Sequence, residues 1–263
     1  MSIPSFVAGN ANYSASFDST ASATVNGGSA TRKSVLAVSW QDAGAGVSVA
    51  TGCTYGGSAM TLIGTQVAGD GVSYTLWGLH GASIPNGSQA CVATWANANR
   101  RCRVMVGVWD TGADVATATG FASSSSTTST PSLTITSNTS AVAVAMFVNT
   151  DVFRTLSVTS PSVQDYANGT LYSAILERAG AASVSVAGTY ISSTGSLIVG
   201  VSLNGTVAAL AWTGTVSAQS CERNGTFSWT GAAITTPVSR SCPMRGSGVA
   251  WPSDSRSPRT ASA

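Results

Sequence analysis

The hydrophobic pattern is clearest in residues 88–110, where two apolar runs flank an Ala-Asn-Ala-Asn break at residues 96–99. In the second run, apolar side chains occupy every other position, namely Cys102, Val104, Val106 and Val108. Strict alternation is typical of a β-strand with two different faces. Because such a strand cannot bury an apolar face alone, the pattern predicts a second layer of sheet packed against it.

Short strand-like segments separated by turn residues continue along the rest of the chain. Residues 34–40 form a dense apolar run suited to the middle of a sheet, and Tyr55-Gly56-Gly57-Ser58 predicts a tight hairpin, since glycine supplies the positive φ that its turn needs. Residues 133–203 contain further short strand-like segments separated by turn residues. Residues 174–182 are also compatible with a helix, and we interpret them as strand. Residues 120–130 are largely Ser and Thr without an apolar period, which predicts an extended connection between sheets.

Together these segments predict an all-β fold of about a dozen strands, a two-sheet antiparallel β-sandwich or jelly roll. We assign residues 1–13 to an N-terminal arm and residues 14–203 to the sandwich domain. In residues 204–236, Asn204-Gly205-Thr206-Val207 is echoed by Asn224-Gly225-Thr226-Phe227, which predicts a small β appendage of tandem hairpin-like repeats. Residues 237–263 are rich in proline and arginine and are expected to be a loosely ordered tail.

Composition narrows the classes of partner. Only 8% of the residues are charged, against roughly 25% in an ordinary soluble domain, so little charge repulsion keeps molecules apart. The low charge content favours a protein that works as part of an assembly. The alternative is that it reflects the amino-acid bias of a high-GC genome. The net charge is +2 and the only basic cluster is Arg100, Arg101 and Arg103, so no nucleic-acid partner is expected. No targeting segment or run of about 18 apolar residues is visible, so no membrane partner is expected.

The residues that carry chemistry do not form a recognisable constellation. His80 is the only histidine and no Gly-x-Ser-x-Gly elbow is present. Most carboxylates lie in turns, where aspartate caps its own backbone; Asp110 and Asp114 flank a turn that fits calcium, but capping is favoured. We therefore predict no catalytic, cofactor-binding or metal-ligating residue, and no enzymatic activity.

The five cysteines show no C-x-x-C spacing of a zinc or redox site. Cys91 and Cys102 flank the break at residues 96–99 and would face each other if that unit is a hairpin. Without a visible secretion signal, reduced thiols packed as small apolar residues are the favoured state.

Tryptophan is frequent among the few aromatic residues, with seven in the chain. Trp77 and Trp109 fall on strand faces opposite the more regular apolar sides. With Arg101 and Arg103 they are candidates for a contact surface, although packing between the sheets is the favoured interpretation of the two tryptophans.

Three segments carry a resemblance to a known class of proteins. They are the Tyr-Gly-Gly-x-x-Met-Thr-Leu hairpin at residues 55–62, Tyr-Thr-Leu-Trp-Gly-Leu at residues 74–79 and the strand at residues 104–108. In this order they resemble a β-sandwich module of virion structural proteins of tailed bacteriophages and related bacterial surface proteins, over about residues 14–203. The segment at residues 225–234 also resembles short repeats near the ends of phage structural proteins.

The resemblance implies a non-enzymatic role on a particle, as head decoration, tail or fibre protein, in a virion assembled in the host cytoplasm. Since the chain lacks a heptad shaft, a compact capsid decoration or tail-associated subunit is favoured. Its expected partners are other virion proteins and copies of itself, and no cofactor is implied. A carbohydrate-binding module that contacts a glycan on the host cell surface is the alternative, and a polysaccharide depolymerase is the third hypothesis.

Overall fold

The regular elements in the described part of the chain are all antiparallel β-strands. The computed structural model describes residues 3–14, 16–41, 48–67, 72–82, 84–98, 100–111, 115–149, 156–168, 173–190 and 195–206. The predicted all-β antiparallel class is confirmed. These residues form four sheets where the sequence pattern predicted two.

The first half of the chain forms two sheets. Its strands are β1 Ser5–Tyr13, β2 Thr20–Asn26, β3 Lys33–Gln41, β4 Ala50–Tyr55, β5 Ser58–Ala59, β6 Thr61–Val67, β7 Ser73–Gly81, β8 Ser88–Trp95 and β9 Cys102–Asp110. The first inner sheet has the strand order β1-β9-β3-β7-β6, and the first outer sheet has the order β2-β8-β4-β5. These two sheets form the first sandwich.

The second half forms a second sandwich. Its strands are β10 Val115–Ser126, β11 Ser132–Thr136, β12 Ala141–Asn149, β13 Ser157–Val158, β14 Val163–Asn168, β15 Ser173–Ala179, β16 Ser183–Thr189 and β17 Ser196–Thr206. The second inner sheet has the order β10-β17-β12-β15-β14, and the second outer sheet has the order β11-β16-β13.

The four sheets stack in layers, with three apolar cores between them. One core joins the first outer and first inner sheets, and another joins the second inner and second outer sheets. The third core lies between the two inner sheets, where Leu36, Val38 and Met105 of the first meet Val144 and Val199 of the second. The inner sheets are therefore covered on both faces.

This layering explains the apolar patterns of the strands. The central strands β3 and β12 are almost continuously apolar and are buried along nearly their whole length, because a strand covered on both faces has no solvent side. The outer strands β2 and β11 alternate strictly between buried and exposed positions. The prediction of a mid-sheet strand at residues 34–40 is confirmed. Of residues 174–182, interpreted as strand, residues 174–179 lie in β15 and residues 180–182 lie beyond its end.

The two sandwiches are structural repeats of each other. If β5 is set aside, β1–β4 and β6–β9 correspond to β10–β13 and β14–β17, and both sheet orders are reproduced. The registers also agree, since Ser34 pairs with His80 and Trp109 as Val142 pairs with Ala179 and Leu203. Each edge strand skips one residue at the same place, Ile63 in β6 and Asp165 in β14. The halves thus share topology, register and bulge.

The repeats face each other about an approximate twofold axis. β1 packs against β14, and its counterpart β10 packs against β6. At the first of these contacts Tyr166 covers Gly9, where an added Cβ would lie 3.0 Å from the tyrosine side chain. At the second, Phe121 covers Gly64 and an added Cβ would lie 2.6 Å from the ring. Both contacts between the sandwiches therefore depend on an aromatic side chain packed on glycine.

Three expectations differ from the structure. Residues 5–13, expected to lie in an arm, form β1, because they pair with β9 along the edge of the first inner sheet. The side-chain amides of Asn10 and Asn12 also donate to the backbone oxygens of Thr24 and Ser22 in the first outer sheet, at 2.6 and 2.8 Å. Residues 120–126 of the Ser- and Thr-rich run belong to β10, which pairs with β17 and, as an edge strand, needs no continuous apolar face. β8 and β9 lie in different sheets, so the unit at residues 88–110 is no hairpin.

The C-terminal expectations lie almost entirely outside the described residues. Asn204, Gly205 and Thr206, the start of the first repeat, form the end of β17. The rest of the appendage at residues 204–236 and the tail at residues 237–263 lie outside the described part of the chain.

Candidate functional site

Arginine and aromatic side chains come together at one end of the first inner sheet. β1 pairs with β9 so that Tyr13 lies directly opposite Arg103. The Arg103 guanidinium carbon lies 6.0 Å from the centre of the Tyr13 ring, at the limit of a cation–π contact. We name Tyr13, Phe17, Arg100, Arg101 and Arg103 the arginine patch.

The two loops that form the arginine patch are tied together by Cys102. The Cys102 backbone oxygen accepts from the Ser14 amide at 2.9 Å, and its amide donates to the Ser14 hydroxyl at 2.9 Å. Its thiol donates to the Asp18 backbone oxygen at 2.9 Å. The Trp95 amide donates to the Ser19 backbone oxygen at 2.7 Å. The patch therefore rests on loops that are hydrogen-bonded to strand ends.

The arginine patch is exposed in part, since Arg100 and Arg103 are half-buried. Phe17 is 64% exposed and Tyr13 is 39% exposed, and Arg101 is also exposed. Asp18 lies opposite Arg100 in an isolated β-bridge, and its Oδ1 atom accepts from the Ser19 amide at 2.6 Å as an aspartate cap. The structure thus places Arg101 and Arg103 at a surface, together with two aromatic rings.

Trp77 and Trp109 do not belong to this surface. Trp77 is buried in the core of the first sandwich, where its indole nitrogen donates to the Ser39 hydroxyl at 2.9 Å. Trp109 is completely buried between the inner sheets, and its ring meets Phe6 edge-on with 5.4 Å between ring centres. Packing between sheets, the favoured interpretation of the two tryptophans, is confirmed, and neither belongs to an exposed contact surface. The first outer sheet covers the face of Trp77, and the second sandwich covers the face of Trp109.

His80 meets a serine, but the arrangement is a packing contact. Its Nδ1 atom lies 2.7 Å from the Ser34 hydroxyl, and Ser34 is completely buried, which denies a substrate access. Burial lowers the pKa of His80, and no carboxylate among the described residues contributes to that shift. A serine triad needs an exposed nucleophile and an acid that orients the histidine, and this pair provides neither.

Two carboxyl groups, Asp165 and Glu177, lie side by side on β14 and β15. Burial and the neighbouring charge and hydrogen bond of Glu177 raise the pKa of Asp165 to about 8. The Glu177 Oε2 atom also accepts from the Trp109 indole nitrogen at 3.1 Å. The pair lies against the other sandwich at the contact of the inner sheets.

No protein-family model, curated protein or solved structure matches the chain. Among the described residues, no group of three or more histidine, cysteine, aspartate or glutamate side chains is placed to hold a metal ion. That same part of the chain contains no helix long and apolar enough to cross a membrane. Asp114 lies outside it, so the calcium alternative at Asp110 and Asp114 stays a prediction.

The three described cysteines are buried and form no disulfide. The Cys53 and Cys91 sulfurs, on neighbouring strands of the first outer sheet, lie 3.6 Å apart. The hydrogen bond from Cys53 and burial raise the pKa of the Cys91 thiol well above its ordinary value. Cys102 lies in the other sheet of this sandwich, so it does not face Cys91 as a hairpin would require.

We expect Cys53 and Cys91 in the native protein to be alkylated by iodoacetamide at least about 100-fold more slowly than in urea, since buried thiols react only after local opening. Peptide mass mapping of the alkylated cysteines at successive times measures both rates. Equal labelling in native and unfolded protein would contradict the burial of this pair.

Sequence reasoning found the arginines of the patch and missed Tyr13 and Phe17. Tyr13 becomes a neighbour of Arg103 only through the pairing of β1 with β9, which are far apart in the chain. The pair of Asp165 and Glu177 did have a local signal in the sequence. The two residues lie on consecutive strands, β14 and β15, and consecutive strands commonly pair in an antiparallel hairpin.

Proposed function

We propose that this protein is a non-enzymatic structural protein of a tailed-phage virion, a capsid decoration or tail-associated subunit that acts through protein–protein contacts. The arginine patch carries the proposal, because it combines exposed side chains of Arg101, Tyr13 and Phe17 at one end of the first sandwich. Arginine and tyrosine are enriched among the residues that dominate protein interfaces.

The placement of the chemically capable side chains supports the same role. Ser34 is sealed in a core beside His80, and Glu177 bonds Trp109 between the sandwiches. The first contact joins neighbouring strands of one sheet, and the second joins the two sandwiches. The remaining exposed surface, with its low charge, suits close apposition to neighbouring subunits.

The proposed partners are other virion proteins and further copies of the chain, and the proposed location is the virion. Neither nucleic acid nor a membrane is proposed as a partner, since the three arginines at residues 100–103 form too short a stripe to follow a phosphate backbone. No cofactor is part of the proposed role.

A binding assay with particles that lack this protein tests the proposal. The labelled full chain is incubated with such particles, which are then sedimented, and the bound fraction is measured. The double change Arg101→Glu and Phe17→Ser is expected to weaken binding at least about tenfold, because it removes a cation and the most exposed apolar ring of the patch.

The matched control is the double change Arg32→Glu and Leu62→Ser, which makes the same kinds of substitution away from the patch; Leu62 is 51% exposed. It should bind as the wild type does. If both double variants bind equally well, the arginine patch is not the contact surface; if the wild type does not bind, the proposed role fails.

Binding of a host glycan is the second candidate, and the exposed rings of Phe17 and Tyr13 favour it, since aromatic faces stack on sugars. A glycan array probed with the wild type and with Phe17→Ala separates the two roles. Glycan binding that Phe17→Ala abolishes supports this candidate, and a blank array leaves protein contacts as the role of the patch.

A further inference from the structure

The two contacts between the sandwiches differ in one chemically important way. The skipped residue of β6 is Ile63, whose Cδ1 atom lies 2.7 Å from the position that a Cβ at Gly78 would take. The equivalent positions in the second repeat are Asp165 and Glu177, because Gly78 pairs with Thr61 as Glu177 pairs with Val163. An apolar contact in one repeat is replaced by a pair of carboxyl groups in the other.

This carboxyl pair connects the two sandwiches. Glu177 accepts a hydrogen bond from Trp109 of the first inner sheet at 3.1 Å and shares another with Asp165. Next to Asp165, Tyr166 packs on Gly9 of β1, and its hydroxyl lies 3.4 Å from the Asn10 Oδ1 atom. Two carboxyl groups share a hydrogen bond only while one of them holds a proton.

No described basic side chain faces the pair. On β15, the Arg178 guanidinium donates to the Ser185 backbone oxygen of the second outer sheet, on the other face. On β9, Asp110 alternates with Trp109 and so points to the other face of its sheet. Across the contact lie Phe6, Gly9, Asn10 and Trp109, and Tyr166 is the one further titratable group. The Asp165 Oδ2 atom is buried and has no donor among the described residues.

We propose that Asp165 and Glu177 form a proton-dependent latch between the two sandwiches, closed while the pair holds one proton and weakened when both carboxyl groups are ionised. Above the pH at which the proton leaves, two negatively charged carboxylates lie side by side at the contact between the sandwiches. The Trp109 indole donates a hydrogen bond to one of them, Glu177. Their repulsion acts directly on the packing of β14 against β1.

The direction of the pH effect follows from the raised pKa of Asp165. Between the ordinary value of 3.8 and about 8, the folded protein holds a proton that the unfolded chain has lost. The contribution of this proton to stability is therefore complete below about pH 4 and is lost as the pH rises through about 8. Neighbouring solvent reduces its size, since Asp165 is only partly buried.

Thermal unfolding at about pH 6 and about pH 9.5 tests the latch on the full chain. The melting temperature of the wild type is expected to fall by roughly 3–6 °C more over this interval than that of Asp165→Asn, which keeps a hydrogen-bond donor but cannot ionise. Glu177→Gln is a second variant that removes the charge pair. Asp18→Asn, which changes a carboxylate outside the sandwich contact, should show the pH dependence of the wild type.

A second measurement is the carboxyl carbon shift of Asp165 by NMR, with an expected midpoint near pH 8. The latch is wrong if Asp165 titrates near pH 4, or if wild type and both pair variants lose melting temperature in parallel. It stands if the midpoint lies near pH 8 and either pair variant flattens the alkaline loss. Neither measurement depends on the proposed role in a virion.

Discussion

Replacing Trp109 with alanine is expected to lower the free energy of unfolding by about 3–5 kcal/mol, the usual cost of removing a buried aromatic side chain. The Trp109 ring is completely buried in the core between the inner sheets and packs edge-on against Phe6. Its loss also leaves Glu177 without the indole donor at 3.1 Å. Equilibrium unfolding in urea, followed by circular dichroism, measures the change.

Phe17→Ala is the matched control for this prediction. Phe17 is 64% exposed, so its removal should change stability by no more than about 0.5 kcal/mol. If the two variants were equally stable, Trp109 would be a surface residue and the face-to-face packing of the inner sheets would be wrong.

Replacing Lys33 with methionine is expected to cost about 2–4 kcal/mol, because three acceptors lose their donor while the length of the side chain is kept. Lys33 is completely buried. Its ammonium group donates to the Gly28 and Pro85 backbone oxygens at 3.2 Å each and to the Asn86 Oδ1 atom at 2.5 Å. Burial lowers the pKa of Lys33, and the nearby charge of Asp110 partly offsets that shift.

The same urea titration measures the Lys33→Met variant, with Arg101→Met as the control. Arg101 is exposed, so its replacement should change stability by no more than about 0.5 kcal/mol. A loss for Lys33→Met no larger than that of the control would show that the ammonium group does not join the two turns at residues 28 and 85–86.

The fold class could be predicted from the sequence because the apolar pattern of each strand indicates which of its faces are buried. The continuous apolar run of β3 indicates a strand covered on both faces, and the Gly56-Gly57 pair, with φ of +55° and +83°, indicates the hairpin between β4 and β5. These signals are local and need no knowledge of which strands pair.

The stacking of two sandwiches could not be predicted, because it depends on which faces meet. The alternation in β9 showed two faces, but only the covering by the second inner sheet makes the face of Trp109 interior. The repeat was hidden for a related reason, since equivalent positions carry different residues, as Ile63 and Asp165 or Gly78 and Glu177 do. The repeat becomes visible only from the register in which the strands pair, and this register cannot be read from the sequence.

The candidate site was predictable in part. Arg101 and Arg103 stand out as basic positions in a chain with few charges. Tyr13 is brought next to Arg103 by the pairing of β1 with β9, the first and last strands of the first sandwich in the sequence. No local sequence pattern indicates this pairing. Trp77 and Trp109 were candidates for this surface as well as for packing between sheets, and both are packed: Trp77 inside the first sandwich and Trp109 between the two sandwiches.

The proposed role as a virion component is tested most directly by quantitative mass spectrometry of purified phage particles from the source of this coding sequence. The account predicts peptides from both sandwiches, at a constant ratio to the major capsid protein across gradient fractions. Absence of the polypeptide from particles that are otherwise complete would contradict the proposed role.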